Sequence, residues 1–344
     1  MREMIHSTAT GVSADVKPAV KKSTSVPTKY QSVVESTIAS EFLVDRNLML
    51  EKAFNHTDVV IVGSGLAGLS TAYELANLQG INITMLEKNH WLGGSHWQGS
   101  TISPSIIVRK PKSKQENPAN KMLDALGVPY ADKDNYIIIK NSALLISSLM
   151  SHILKSNNVS VLTNYQADDI LLDNFSQSVT GITTRKIGDS RSAASYPLYS
   201  KCVVSACGKR EDQSLTMKRA SLLGFQDMYF NNFFNTSPMN MNSSDDEMVY
   251  HTREFSPSLV VAGNEVSRID GLPCTGMSVT GVLESGIKAA RIAFELLQKV
   301  LTYNSLMRLL ICLFLIIERS ICQNSKSWIR SCWPFPRYSY CYYY

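Results

Sequence analysis

Between Asp58 and Glu87 the chain reads DVVIVGSGLAGLSTAYELANLQGINITMLE, and this segment restricts the fold more than any other. Val59 to Val62 is a short apolar, β-branched run of the kind a parallel sheet buries on both faces. It leads straight into Gly63, Gly65 and Gly68, spaced GxGxxG. In a strand, turn and helix unit the first glycine makes the tight turn and the second lets the backbone approach a pyrophosphate. The third lets the helix pack closely on the strand. The helix that follows offers free N–H groups and about half a positive charge to phosphates. Glu87 stands 19 positions beyond Gly68 (87 − 68), at the end of a second apolar run. There a carboxylate can accept hydrogen bonds from ribose hydroxyls. Strand, glycines, helix, second strand and acid in this order predict an α/β, Rossmann-like three-layer dinucleotide-binding fold. The acid repels the extra phosphate of NADP and leaves NAD or FAD as the cofactor. Lys88 beside it reads either as a solvated lysine or as a cation near the same ribose.

A chain of 344 residues with 44% hydrophobic content can build one large core or two modest ones. The net charge of +5 is mild, and the basic residues are scattered rather than striped with aromatics, so no nucleic-acid partner is implied. Residues 1–40 read as a flexible polar tail without the apolar core of a secretory signal. Their Lys, Arg, Ser and Thr content has a slight likeness to an organellar transit peptide, against which stand Glu3 and Asp15. Seven cysteines without a secretory signal suit a reducing compartment, the cytoplasm, with the mitochondrion as the alternative. Cys202 and Cys207 stand five apart in an expected strand, which turns them to opposite faces and keeps them unpaired. Cys312, Cys322, Cys332 and Cys341 recur without CxxC pairs, so no zinc site is predicted.

The order of elements gives three regions: the tail, a dinucleotide-binding domain over 41–300, and an atypical extension over 301–344. Helices are expected over Ser40 to Phe54, Lys121 to Leu126, Ala143 to Lys155 and Gly286 to Val300. Strands are expected over Tyr136 to Lys140, Val159 to Thr163, Gly181 to Arg185, Cys202 to Ala206 and Ser258 to Ala262. IGDSRSAASYPLY reads as a polar stretch between two of these strands. The loop after Glu87, with Gly93, Gly94 and Gly99, faces the carboxyl end of the sheet, where ligands bind in doubly wound folds. In the extension, Leu306 to Ile317 is twelve residues with Arg308 inside, short of the roughly twenty apolar positions a membrane span needs. Its erratic sequence also fits an unspliced intron or a shifted reading frame.

Further blocks add a resemblance. They are SIIVRKP (Ser105 to Pro111), LGVPYADKDNYIIIKNSALLIS (Leu126 to Ser147), HTREFSP (His251 to Pro257) and VVAGNEVSRIDGLPCTGMSVTGVLESGIKAA (Val260 to Ala290). With the glycine segment they make the stretch from about Ser40 to Val300 resemble the eukaryotic, fungal-type thiamine thiazole synthases. Their fold is of the flavoprotein type. The resemblance implies NAD as a substrate, cleaved at its glycosidic bond, with the ADP-ribose unit condensing with glycine and then receiving sulfur. It places Ser64, Glu87, Lys88, Gly94 and Ala167 around the adenosine diphosphate, alongside Gly63, Gly65 and Gly68. At the substrate end it points to Asn264, Cys274, Thr275 and Gly276, and implies a ring-like homo-octamer.

Two departures qualify what the resemblance carries over. The family's carboxylate-holding arginine after Asp-Gly is Cys274 here, which removes a charge-assisted pair worth about 1.5 to 3 kcal/mol. Arg253 and Arg268 are the arginines close enough in sequence to compensate. Between Gly181 and Cys202 the family carries a sulfur-donating cysteine, a histidine and an iron-binding aspartate, whereas this chain has no Cys or His there. Asp189 cannot hold iron alone, so no metal site is predicted. The catalytic candidates reduce to Cys202, Cys207 and His251, the last also read as a strand-edge histidine. Three functions stay open: a thiazole synthase in the full sense, a divergent NAD- or FAD-dependent enzyme of secondary metabolism, and a non-catalytic nucleotide binder. Gly263 to Glu265 stands where flavoproteins carry Gly-Asp against the flavin arm, which keeps FAD as the alternative ligand.

Overall fold

In a computed structural model of the chain, Val59 and Ile61 of strand β1 (Val59–Val62) enter one apolar core and Val60 and Val62 enter a second one. The alternation of a strand therefore divides a uniformly apolar run between two faces, which explains why all four residues are buried. The structure describes residues 51, 53–55, 57–94, 106–110, 117–188, 195–208, 214–225, 240–273, 278–299 and 302. The tail, most of the helix expected over Ser40 to Phe54, Gly99, Arg308, Asp189 and Cys274 to Gly276 lie outside these residues. So do Cys312, Cys322, Cys332, Cys341 and the rest of the extension beyond 302.

β1 is followed by α1 (Leu66–Ala76) and β2 (Ile83–Glu87), which pairs parallel with β1. The central sheet runs β11-β12-β10-β1-β2-β6, built also from β6 (Val159–Thr163), β10 (Cys202–Ser205), β11 (Arg253–Ser256) and β12 (Leu259–Val261). Its pairs are parallel except β11 with β12. The chain leaves β1 toward β2 on one side and returns with β10 on the other. That makes the carboxyl end of β1 the topological switch point, where open α/β sheets bind ligands.

A second sheet, ordered β3-β5-β4, contains β3 (Ile106–Arg109), β4 (Ala131–Asp132) and β5 (Tyr136–Ile139). It joins α1, α2 (Pro118–Ala125), α3 (Ser142–Lys155) and a long helix α7 over 280–299 on one face of the central sheet. A third sheet, β7-β8-β9, covers the other face with β7 (Tyr165–Leu172), β8 (Val179–Lys186) and β9 (Tyr196–Tyr199). The architecture is thus the three-layer α/β type, with one core on each side of the parallel sheet. The remaining helices are α4 (Leu215–Leu222), α5 (Met241–His251) and α6 (Asn264–Ile269). Among the described residues no helix is long and apolar enough to cross a membrane.

α1 buries nearly its whole circumference, and its small residues are the reason it can. A Cβ on Gly68 would stand 1.9 Å from the carbonyl oxygen of Gly63, and one on Gly286 of α7 would stand 2.0 Å from Ser70 Oγ. Strand, α1 and α7 therefore stack backbone against backbone, and Thr71 Oγ1 donates to the Gly286 carbonyl at 3.0 Å.

The structure corrects several expectations. The stretch read as polar contains β9, an edge strand with Leu198 alone buried and Pro197 tolerated because an edge needs fewer N–H donors. β7 escaped notice because a bulge between Ala167 and Asp169 breaks its alternation. α7 begins at 280, six residues before the expected start at Gly286, and α2 begins at Pro118 under an Asn117 cap. His251 is the last residue of α5 rather than a strand edge, because α5 runs directly up to β11.

Candidate functional site

At the switch point an open cleft encloses ≈ 990 Å³ of empty space, counted out to its mouth. Its floor is the turn from β1 into α1, with Gly63, Ser64, Gly65, Leu66 and Ala67. Gly63 takes φ +101°, and a Cβ there would meet the Ala206 carbonyl oxygen at 2.4 Å, so the turn must close against the end of β10. Gly65 differs. Among the described residues, apart from its chain neighbours and its own helix, no atom lies within 4 Å of where its Cβ would be, so that side of the backbone faces the cleft. The three glycines thus differ in setting: a tight turn at Gly63, an open side at Gly65 and close helix packing at Gly68.

Of the residues expected around the adenosine diphosphate, Gly63, Ser64, Gly65, Glu87, Lys88, Gly94 and Ala167 line this cleft, and Gly68 lies behind it. Gly93 N donates to the Ser64 carbonyl at 2.9 Å, bringing Gly94 over Gly65. Ala167 comes with Tyr165 and Gln166 from β7, at the bulge. Asn89, Tyr165, Gln166, Ser214 and Leu215 also line the cleft and had no sequence signal, because they sit on segments whose local pattern says nothing about the sheet end they reach.

Glu87 behaves differently from the simple expectation of a free ribose acceptor. Its Oε2 accepts from Ser64 N at 3.0 Å and Ser64 Oγ at 2.5 Å. Its Oε1 accepts from Asn89 N at 2.9 Å and Asn89 Nδ2 at 2.8 Å. A carboxylate offers about four acceptor positions, so four donors saturate it. Glu87 is only 6% exposed, and Ser64 is fully buried.

The opposite wall carries Ala206, Cys207, Gly208, Asn264 and Val282. Glu265, next to Asn264, is fully buried and accepts from Ser205 Oγ at 2.9 Å, Cys207 N at 2.9 Å and Thr216 Oγ1 at 2.6 Å. The acid is thus withdrawn into the protein, and Asn264 faces the cleft in its place. Cys207 is past the end of β10 and packs against one core, whereas Cys202 is buried in the other. They lie on opposite faces as expected, though the strand ends before Cys207. Burial pushes the Cys202 thiol well above its ordinary pKa, with Glu254 adding to it. Burial does the same to Cys207, reinforced by the Glu265 carboxylate. Both thiols are held protonated at neutral pH, the reverse of what nucleophilic sulfur needs.

Arg253, expected at the substrate end, is committed elsewhere. Its Nη1 and Nη2 donate to Asp270 at 2.6 and 3.0 Å, and His251 Nδ1 lies 3.2 Å from the same carboxylate. Neither residue lines the cleft. Arg268, the other arginine near that end, is buried on α6. Asp270 begins the turn that leads to Cys274, so the three residues anchor the root of that segment. Beyond it, Asp245 accepts from Gly281 N at 2.9 Å and from Ser278 Oγ, capping α7 from outside the helix. Arg109 pairs with Asp246 and stands 3.6 Å from Asp245. Glu284, one turn into α7, has its acid raised to about 7 by burial and by Asp245 and Asp246. Among the described residues no group of three His, Cys, Asp or Glu side chains is arranged to hold a metal ion.

The Thi4 family model matches residues 40–279. Thiamine thiazole synthase 1, chloroplastic, of Vitis vinifera is 33% identical over 274 residues, covering 78% of this chain and 74% of its own. Thiamine thiazole synthase 4, chloroplastic, of Physcomitrium patens is 34% identical over 275 residues, covering 78% and 76%. The crystal structure of Thermovibrio ammonificans THI4 is alike in fold, with a TM-score of 0.64 at 22% identity over 77% of this chain and 97% of that one.

Proposed function

The chain belongs to the Thi4 family, and from that premise we propose that its cleft takes NAD as a reactant in the making of a thiamine thiazole. The observation that carries this reading is the bare backbone at Gly65 under the N-terminus of α1. Free N–H groups there and the positive end of the helix suit a pyrophosphate, and among the described residues no side chain outside its own helix stands within 4 Å of that point. The adenosine half then lies toward Asn89 and Ala167, and the nicotinamide half toward Asn264.

In the first step the bond between nicotinamide and ribose C1′ breaks. Nicotinamide leaves with the bonding pair, and water attacking C1′ gives ADP-ribose and releases a proton. This chain's residues hold the pyrophosphate and keep the adenosine in register. ADP-ribose then stays for condensation with glycine. Cys202 is buried away from the cleft, and burial with the Glu265 carboxylate raises the pKa of Cys207 on the cleft wall, which makes both poor sulfur donors. Free sulfide is the source we assign. FAD is the weaker reading, because Glu265, the acid nearest a flavin arm, has its acceptors occupied inside the protein.

The test is to incubate the full chain with NAD, glycine, ferrous iron and sulfide, and to follow nicotinamide release and ADP-thiazole by chromatography and mass. Nicotinamide release, with ADP-thiazole appearing only when sulfide is added, is expected. NAD recovered intact after long incubation would make the protein a holder of the nucleotide, and a yellow protein with flavin absorbance would replace NAD with FAD.

A further inference from the structure

We infer that Ser285 is a positioning residue for the cleft: through a buried chain of hydrogen bonds it holds the turn at Gly263, and with that turn the amide of Asn264 on the cleft wall. The inference rests on the nucleotide reading of the cleft, with the nicotinamide half toward Asn264. Gly263 N donates to Ser285 Oγ at 2.7 Å, Ser285 Oγ is 2.6 Å from Thr252 Oγ1, and Thr252 Oγ1 donates to the Met248 carbonyl at 2.8 Å. Counting protons fixes the direction of the middle contact. A hydroxyl has one proton, Thr252 gives its own to Met248, and Ser285 is therefore the donor between the two. The oxygen of Ser285 is left to accept from Gly263. Each group is satisfied out of reach of water, since Ser285 is fully buried and Thr252 is 1% exposed. The chain thus ties the start of α6 to α7 and, beyond it, to the last turn of α5.

The turn needs such a hold. Gly263 takes φ +67° and ψ −148°, a conformation that is essentially glycine's own, and a Cβ there would stand 2.5 Å from the Ala67 Cβ of α1. The next two residues then diverge. Glu265 turns inward to Ser205, Cys207 and Thr216, whereas Asn264 lines the cleft, and no hydrogen bond among the described residues engages its amide. Asn264 therefore stands between two fixed neighbours, Gly263 tied to α7 and Glu265 tied to the end of β10. A donor and acceptor held in this way loses little freedom when a ligand meets it. Removing the Ser285 hydroxyl strands a buried N–H at the root of the arrangement, and the turn has to shift to satisfy it. Ser285, Thr252 and Met248 do not line the cleft, so their effect on a ligand is indirect.

The test compares two ligands by calorimetry on the full chain. One is ADP, and the other is carba-NAD, in which a cyclopentane ring replaces the nicotinamide ribose so that the bond to nicotinamide resists cleavage. Asn264→Ala should weaken carba-NAD relative to ADP by about three- to tenfold, the worth of one neutral hydrogen bond. Ser285→Ala should lower the same ratio by about as much, and the double variant no further than either alone, because both changes act on one contact. General loosening of the fold would weaken both ligands alike and leave the ratio where it was. An unchanged ratio in either single variant overturns the inference, as do losses that multiply in the double variant. Should Ser285→Ala not fold, hydrogen exchange on the wild type decides: carba-NAD should slow exchange of the amides from Gly263 to Val266 more than ADP does, and equal protection by the two overturns the assignment. Failure of wild type to bind either ligand removes the nucleotide reading itself, a result distinct from the others.

Discussion

Two glycines three residues apart should fail in opposite ways when each is given a methyl group. In Gly68→Ala the new Cβ would be 1.9 Å from the Gly63 carbonyl oxygen, over 1 Å inside normal contact, and 3.5 Å from Ile61. The obstacle is backbone, so α1 has to retreat from β1. Overpacking of this kind costs about 1 to 3 kcal/mol, and the better helix propensity of alanine returns up to about 1 kcal/mol. A net loss of about 1 to 2 kcal/mol lowers Tm by about 2 to 8 °C for a domain of this size. In Gly65→Ala the same methyl group meets no atom of the described residues within 4 Å beyond its chain neighbours and own helix, and the backbone there, φ −66° and ψ 178°, suits any residue. Stability should change by no more than about 0.5 kcal/mol. On the proposed function the methyl group nonetheless occupies the space through which a pyrophosphate would reach the helix N-terminus. ADP affinity should fall by about a hundredfold, the scale of a 1 Å misplacement at a site. Thermal unfolding of both variants with and without ADP, together with calorimetry, gives all four quantities. If Gly65→Ala binds ADP as wild type does, no ligand approaches at that point and the reading of the cleft is wrong. If Gly68→Ala melts at the wild-type temperature, strand and helix are not in the contact described.

Glu284 should give a pH signature: unfolded it ionises near 4.5, folded it keeps its proton to about 7, so stability falls as pH rises through that window and is level above it. Glu284→Gln should match wild type below pH 4.5 and exceed it by about 1 to 2 kcal/mol at pH 8, after allowance for partial exposure; a difference independent of pH in urea titrations would contradict this. Cys207, on the cleft wall, should react with iodoacetamide at pH 8 more slowly than a free thiol, because partial burial and the Glu265 carboxylate favour its protonated form; labelling at the free-thiol rate would contradict this. Asp270→Asn should cost about 1 to 2 kcal/mol by weakening the forked pair with Arg253, which is part exposed, and should leave ADP affinity unchanged because neither residue lines the cleft; a matching loss of ADP affinity would place that pair in the nucleotide site.

Legibility in the sequence followed locality. β1, α1 and β2 could be read because their periods, glycines and closing acid all lie within thirty residues, and each glycine's role follows from its own backbone. α3 and β6 were read to within a residue for the same reason. α5, with the sequence MNSSDDEMVYH, gave no apolar period, since what holds it is Asp245 capping α7 and Lys288 Nζ donating to the Val249 and Tyr250 carbonyls. β9 looked polar because an edge strand of a three-stranded sheet needs to bury only Leu198.

The chain by itself determined that a turn at Gly63 to Gly68 would lie at the end of β1 and that an acid would stand at the end of β2. Only the tertiary structure decided what that acid does. Ser64 and Asn89 take all four of its acceptor positions, Arg253 is given to Asp270, and Glu265 turns inward to Ser205 and Thr216. A side chain's type and the face it occupies are set by its neighbours in sequence. The partner that satisfies it is set by whichever segment folding brings within about 3 Å, and for buried polar groups that choice decides which are left to meet a ligand.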